Sequence, residues 1–243
     1  MNFSMNAAWE DTVRLLRANA SLFLAVAGVF LFLPAVIAGY VAPEPKGGAE
    51  GVTVAMTMGY VRENLPLLFL VQLVGLVGNL ALLILALDQE RPTVGGAISG
   101  AFRLLPAYFL ASVVSGFIIF LGILALILPG LYLIGRLAVV GAVIVAEGRR
   151  NPIDVVRRSF AVTRGKGWAI LAMILVVVMV FAVVNLAAVT VFGSIFLLLD
   201  RATDAGIGTF LILILEAAIG AIFNAVLIVL LASLYRRLTV SAV

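Results

Sequence analysis

Apolar residues gather in long runs separated by short polar stretches rich in Arg, Gly and Pro. The runs reach twenty residues or more, the length a helix needs to cross a hydrocarbon core about 30 Å thick. The first run, from about Ala20 to Ala42, is longer than the roughly 7–15 apolar residues of a secretory signal, so it predicts a span. A turn-rich loop from Pro43 to Gly51 follows. The next stretch, GVTVAMTMGYV, has no decisive periodicity; the membrane interface is one placement for it. A second span is predicted from Leu65 to Leu87, stopping at the charged cluster Asp88 to Pro92. The third, Pro106 to Leu128, meets the fourth through Leu128 to Gly130, where Pro and Gly predict a helical hairpin. The fourth ends near Ala146. The fifth stays apolar from Trp168 to Leu199, roughly 48 Å at helical rise, which predicts a steep tilt or a break near Gly193 and Ser194. The sixth runs from Ile207 to Arg236 and Arg237. The pattern therefore predicts an all-α, polytopic membrane helix bundle of six transmembrane helices, a single domain over residues 1–243.

Composition agrees. Hydrophobic residues make up 64% of the chain and charged ones 12%, against about a quarter charged in a soluble domain. Lipid is the solvent. The chain has no Cys and no His, which excludes disulfides, thiolate metal sites and histidine base catalysis. No metal or cofactor site is predicted.

Charge predicts orientation. Arg14, Arg17, Arg91, Arg103, Arg149, Arg150, Arg157, Arg158, Arg164, Lys166, Arg236 and Arg237 fall on one side of the spans, against Lys46, Arg62 and Arg201 on the other. Lys and Arg favour the cytoplasm, so both termini are expected there. The net charge of +4 reads as topology and attraction to phospholipid headgroups, not as nucleic-acid binding.

Three polar segments precede the odd-numbered spans, and they look alike. A shift of sixty residues superposes Pro92 on Pro152, Ala101 on Ala161 and Tyr108 on Trp168. The chain thus reads as a threefold internal repeat, with units of about 1–90, 91–150 and 151–243, each an in-plane amphipathic helix followed by two spans. In the first unit Trp9, Val13 and Leu16 share one face and Glu10, Arg14 and Arg17 another, with Glu10 and Arg14 in the favourable i, i+4 order. In the third, Asn151 caps a helix opened by Pro152. There Ile153, Val156 and Phe160 are expected to face lipid while Arg157 and Arg164 reach headgroups. Gly95, Gly96 and Gly100 disfavour a helix in the second unit, although small residues also permit close packing.

The segment LPGLYLIGRLAVVGAVIVAEGRRNPIDVVRRSFAVTRGKGW, Leu128 to Trp168, carries LPGLY, Arg136, AEG, the Pro152 helix start and RRSFAVTRG. Over these residues the chain resembles a bacterial membrane domain found attached to some glycerophosphoryl diester phosphodiesterases and also standing alone. The resemblance implies a bacterial inner-membrane location. In that family the activity resides in a separate soluble barrel using histidines and metal-binding carboxylates. None of those residues has a counterpart here, so the resemblance implies the membrane module without the enzyme.

Intramembrane polar residues are the remaining chemistry. A charge at the centre of a span costs on the order of 3 kcal/mol, so Arg136 and Glu216 are expected to find partners. Entering from the outer side they would lie about 9 Å and 15 Å deep at helical rise, within side-chain reach of each other. An ion pair fixing the packing, a polar site for a headgroup, proton or anion, and separate snorkelling of each charge all stand open. Gln72, Asn79, Asn185 and Asn224 suit interhelical hydrogen bonds, and Gln72 and Asn79, seven apart, share a face that could line a cavity. Arg149, Arg150, Arg157, Arg158, Arg164 and Lys166 are the expected headgroup contacts. Glu147, Arg149 and Arg150 read as a solvated boundary cluster. No nucleophile and base stand together, so no catalytic residue is predicted. The expected function is a non-enzymatic membrane protein engaging phospholipid, in lipid handling or as a scaffold; a small transporter or channel is the alternative.

Overall fold

The computed structural model describes residues 4–45, 51–88, 93–203 and 206–240. Lys46, Arg91 and Pro92, and with Arg91 and Pro92 part of the 88–92 cluster, lie outside the described residues, as do both chain ends. Six helical segments among the described residues are long and apolar enough to cross a membrane. The chain is an all-α, polytopic integral membrane protein.

Helix α1 (Met5–Ala18) precedes the first span, which is α2 (Ala20–Ala27), a π-helical turn (Gly28–Phe32) and α3 (Leu33–Val41). The second span is α4 (Val54–Leu87) and the third α5 (Val94–Ala125). The fourth is split into α6 (Ile127–Leu137) and α7 (Val140–Glu147). A short helix, α8 (Pro152–Val162), leads into the fifth span, α9 (Gly167–Thr203), and the sixth, α10 (Ile207–Val240). Side-chain oxygens satisfy the orphan amides at the starts: Ser4 accepts from Ala7, Thr53 from Met56, Thr93 from Gly96 and Asn151 from Ile153. Gly148 ends α7 in the left-handed conformation, φ 63°.

Several boundaries differ from the expected ones, each for a local reason. The stretch GVTVAMTMGYV is the start of α4, which Thr53 caps and which continues through Pro66. The third span likewise begins at Val94, twelve residues before Pro106, and its glycine-rich first turns are helical. Between the third and fourth spans the turn is the single extended residue Leu126, φ −161° and ψ 140°. Pro129 and Gly130 sit in the first turn of α6, where a missing amide costs nothing, and Gly130 lies against the backbone of Ile123. In the first span the π turn ends two residues before Pro34. Leu33 N–H donates to Gly28 C=O, and the wider turn removes the clash a proline makes in an α-helix. The fifth span does not break at Gly193 or Ser194; α9 is continuous.

The core lies toward one end of the bundle. Leu80, Leu82 and Leu83 of α4, Val143 and Ile144 of α7, Val155 of α8, Ile170 of α9 and Leu230, Leu234 and Leu238 of α10 are fully buried there. Arg17, Arg149, Lys166 and Arg237 belong to the helix ends beside this core, so we call it the basic end. Farther along, Leu124, Ile127, Leu186 and Leu198 are exposed, a loss in water and none in lipid.

Three helical segments close the basic end: α1 against α10, the first turns of α5 against α4, and α8 against α7 and α5. Each buries two small or β-branched residues four apart: Ala8 and Thr12, Ala97 and Ala101, Val155 and Ser159, all at 0% exposure. That spacing stacks both residues on one face, and their size lets the backbones approach. The face of α8 therefore differs from the expected one. Val156 is buried and Phe160 half-buried, and of the three residues expected to face lipid only Ile153 is exposed. Helix α8 docks on α5 and α7 through that face. In α1, Arg14 pairs with Asp11 and not with Glu10.

Ala101→Leu should destabilise the protein by about 1–3 kcal/mol through overpacking. Gly116→Ala, where an added Cβ meets nothing within 4 Å, should be neutral or stabilising by up to ~1 kcal/mol. Thermal unfolding in a mild detergent would show both; equal effects would contradict the packing described.

Candidate functional site

Helix termination dictates the chemistry of the basic end, because α7, α8 and α10 all finish or start there. Glu147 is the last residue of α7 and its side chain is 18% exposed. Its Oε2 accepts from Arg149 Nε at 2.5 Å. Its Oε1 accepts from Arg158 Nε at 2.6 Å and from Tyr235 Oη at 2.9 Å. One carboxylate thus joins the fourth span, the surface helix and the sixth span. A second carboxylate repeats the theme: Asp11 of α1 receives Arg14 at 2.5 Å and Arg237 of α10 at 2.5 Å. Beside it, Arg236 Nη2 donates to the C=O of Leu87 at 3.0 Å, satisfying a carbonyl at the end of α4.

Arg136 occupies the last turn of α6, next to the break at Ala138 and Val139. The break frees its carbonyl, and the hydroxyls of Ser159 (2.8 Å) and Thr163 (3.1 Å) donate to it. Its guanidinium donates to Tyr132 Oη at 2.8 Å and to the C=O of Phe160. The cation also stands 5.6 Å from the Tyr132 ring centre and 5.2 Å from that of Phe160. Gly135 and Gly167 allow this contact: a Cβ on Gly135 would lie 2.2 Å from the Gly167 carbonyl oxygen. Arg136 therefore sits level with the start of α9, and the expected pairing with Glu216 does not form. Glu216 is exposed on α10 and has no hydrogen-bond or ion-pair partner among the described residues. A span broken at Ala138 brings Arg136 to the Phe160 carbonyl of α8 and to the hydroxyls of Ser159 and Thr163, partners that depth counting along a straight helix does not reveal.

The intramembrane amides differ in their surroundings. Gln72 is exposed, while Asn79, Asn185 and Asn224 are half-buried. The Oδ1 atoms of Asn79 and Asn224 are buried without a partner among the described residues. Of the predicted headgroup residues, Arg149, Arg150, Arg157 and Arg164 are exposed, and Arg158 and Lys166 are half-buried.

Glu147 reads from sequence as solvated, but it is the junction of three elements. Its partner Tyr235 lies 88 residues away, and nothing local in sequence marks such a pair. Among the described residues no three His, Cys, Asp or Glu side chains gather as metal ligands. The carboxylates of Glu147 and Asp11 are both engaged by cations. The arrangement can bind and orient charged groups at the bundle end.

Arg136→Leu should lower stability by about 2 kcal/mol, the worth of hydrogen bonds to a charged group, and Glu216→Leu should not lower it. A double-mutant cycle between them should show coupling below about 0.5 kcal/mol. Coupling well above that would mean the two charges meet. No protein-family model, curated protein or solved structure matches the chain.

Proposed function

We propose that this integral membrane protein is non-enzymatic and engages phospholipid at its basic end, in lipid handling or as a membrane scaffold. The basic end faces the cytoplasm of a bacterial inner membrane, with both termini on that side. One observation carries the reading: Arg150, Arg157 and Arg164 are exposed on and around α8, a helix held in place by the Glu147 bridges. Fixed, outward guanidinium groups at a membrane boundary attract anionic headgroups. The Lys and Arg asymmetry and the resemblance over residues 128–168 to the diesterase-associated membrane domain support the same reading. The chain is further read as three copies of one module, although the buried pairs fall out of register with the sixty-residue shift, which sets Ala97 and Ala101 on the exposed Arg157 and Ala161.

A transporter reading draws on the buried, unpartnered Oδ1 atoms of Asn79 and Asn224. Gln72 and Glu216, the residues that would extend a polar path, are exposed instead, so the phospholipid reading stands first.

Changing Arg150, Arg157 and Arg164 together to Gln should weaken the local enrichment of phosphatidylglycerol over phosphatidylcholine by about 1 kcal/mol per charge removed. Energy transfer from the two tryptophans to labelled lipid in mixed nanodiscs measures that enrichment. Unchanged enrichment would reduce α8 to structural packing.

A further inference from the structure

Glu216 of α10 takes no part in the junctions of the basic end. It lies nine positions beyond Ile207, the first residue of α10 (216 − 207), and twenty before Arg236 (236 − 216). It is therefore about 14 Å from the far end of the helix and about 30 Å from Arg236. A lone carboxylate at that depth is costly in hydrocarbon, and its side chain is too short to snorkel to headgroups. Yet Glu216 is exposed and has no hydrogen-bond or ion-pair partner among the described residues.

The contacts of the preceding turn fix where it points. Ile212 meets Gly193 of α9, and Leu213 lies against Gly39 of α3. Phe210 and Phe223 extend the two seams, with ring centres 5.9 Å from Tyr40 of α3 and 5.0 Å from Phe181 of α9. Glu216 is four residues beyond Ile212 and three beyond Leu213, so it stands between the seams, on a lipid-facing stripe flanked by α3 and α9. Gly220 continues that stripe one turn on. It is exposed, and a Cβ there would meet nothing within 4 Å. Glycine weakens a helix, and at this position it spares no contact within the chain; it leaves room for another backbone to approach. Gly75 and Gly116 are open in the same way, but neither has a charged residue one turn away.

We propose that this face of α10 docks a transmembrane helix of a partner protein, one that carries a Lys or Arg at the depth of Glu216 and passes close over Gly220. Charge complementarity selects that occupant. In hydrocarbon a carboxylate and a cation relieve each other, whereas each alone is costly. A second copy docking through the same face would set Glu216 against Glu216, like against like. The ammonium groups of lipids lie at headgroup level, out of its reach. The surface is separate from α8, and the proposal goes beyond the phospholipid reading without resting on it.

Association of the full chain with synthetic Leu–Ala transmembrane helices of about 22 residues tests it, read by energy transfer between dyes on helix and chain in nanodiscs. One helix carries a single Lys about nine residues from its far end, a second carries Glu there, and a third is wholly apolar. The Lys helix should associate about tenfold more tightly than the other two, as for an interhelical polar contact in lipid. Glu216→Gln should remove most of that preference. Gly220→Leu keeps the charge but fills the approach, and should weaken association with the Lys helix by about tenfold. Both variants should unfold at the wild-type temperature in detergent, since neither position packs within the chain. Equal association of the three helices, a wild-type preference in Glu216→Gln, or unchanged association in Gly220→Leu would each overturn the proposal. Energy transfer between copies of the chain alone, lost in Glu216→Gln, would assign the face to a second copy and overturn it as well.

Discussion

The carboxylate of Glu147 accepts hydrogen bonds from Arg149, Arg158 and Tyr235, and three elements meet at that one group. Helices in lipid have no hydrophobic reason to associate, since acyl chains are as apolar as leucine. Van der Waals packing and polar contacts must hold them. Here polar contacts stand at both ends: Glu147 ties α7 and α8 to α10 and Asp11 ties α1 to α10 at the basic end, while at the other end Asp200 of α9 accepts from the amides of Gly208 and Thr209 in α10. The fully buried large side chains lie beside the bridges of the basic end. The far halves of the spans carry exposed apolar residues, as befits segments solvated by lipid.

Function follows from the same arrangement. With Glu147 and Asp11 engaged, the cations left outward at the basic end include those of Arg17, Arg103, Arg150, Arg157 and Arg164. Each sits on or beside a helix that packs through small or β-branched residues, so its position is held by the bundle. Arg136 contributes differently. Its carbonyl and guanidinium both bind α8 or the segment just after it, so a charge set into a span serves to dock a surface helix. A break in the span makes this work by releasing the carbonyl that the hydroxyls of Ser159 and Thr163 then satisfy.

The spans were legible in sequence because run length and lipid thickness are the same physical quantity. Asn151 and Pro152 likewise announced the start of α8, since capping is local chemistry. Boundaries set by tertiary packing were not legible. Gly95, Gly96 and Gly100 argue against a helix by propensity, yet Ala97 and Ala101 are buried there and packing prevails over propensity. The π turn before Pro34 and the one-residue turn at Leu126 depend on backbone adjustments that no periodicity encodes. The pairing proposed for Arg136 with Glu216 failed for a similar reason: a straight-helix depth count cannot see a break at Ala138. Tyr235 as a partner of Glu147, and Arg237 of Asp11, required knowing which ends the fold brings together.

Hydrogen exchange of the full chain in nanodiscs, wild type against Glu147→Gln, tests the central claim most directly. If the Glu147 junction holds the basic end together, amide protection should fall in α8 and in the last turns of α10 at once, with α3 and the middle of α9 unchanged. Wild-type protection in α8 and α10 after that substitution would contradict the account, leaving the buried pairs alone to hold the helices.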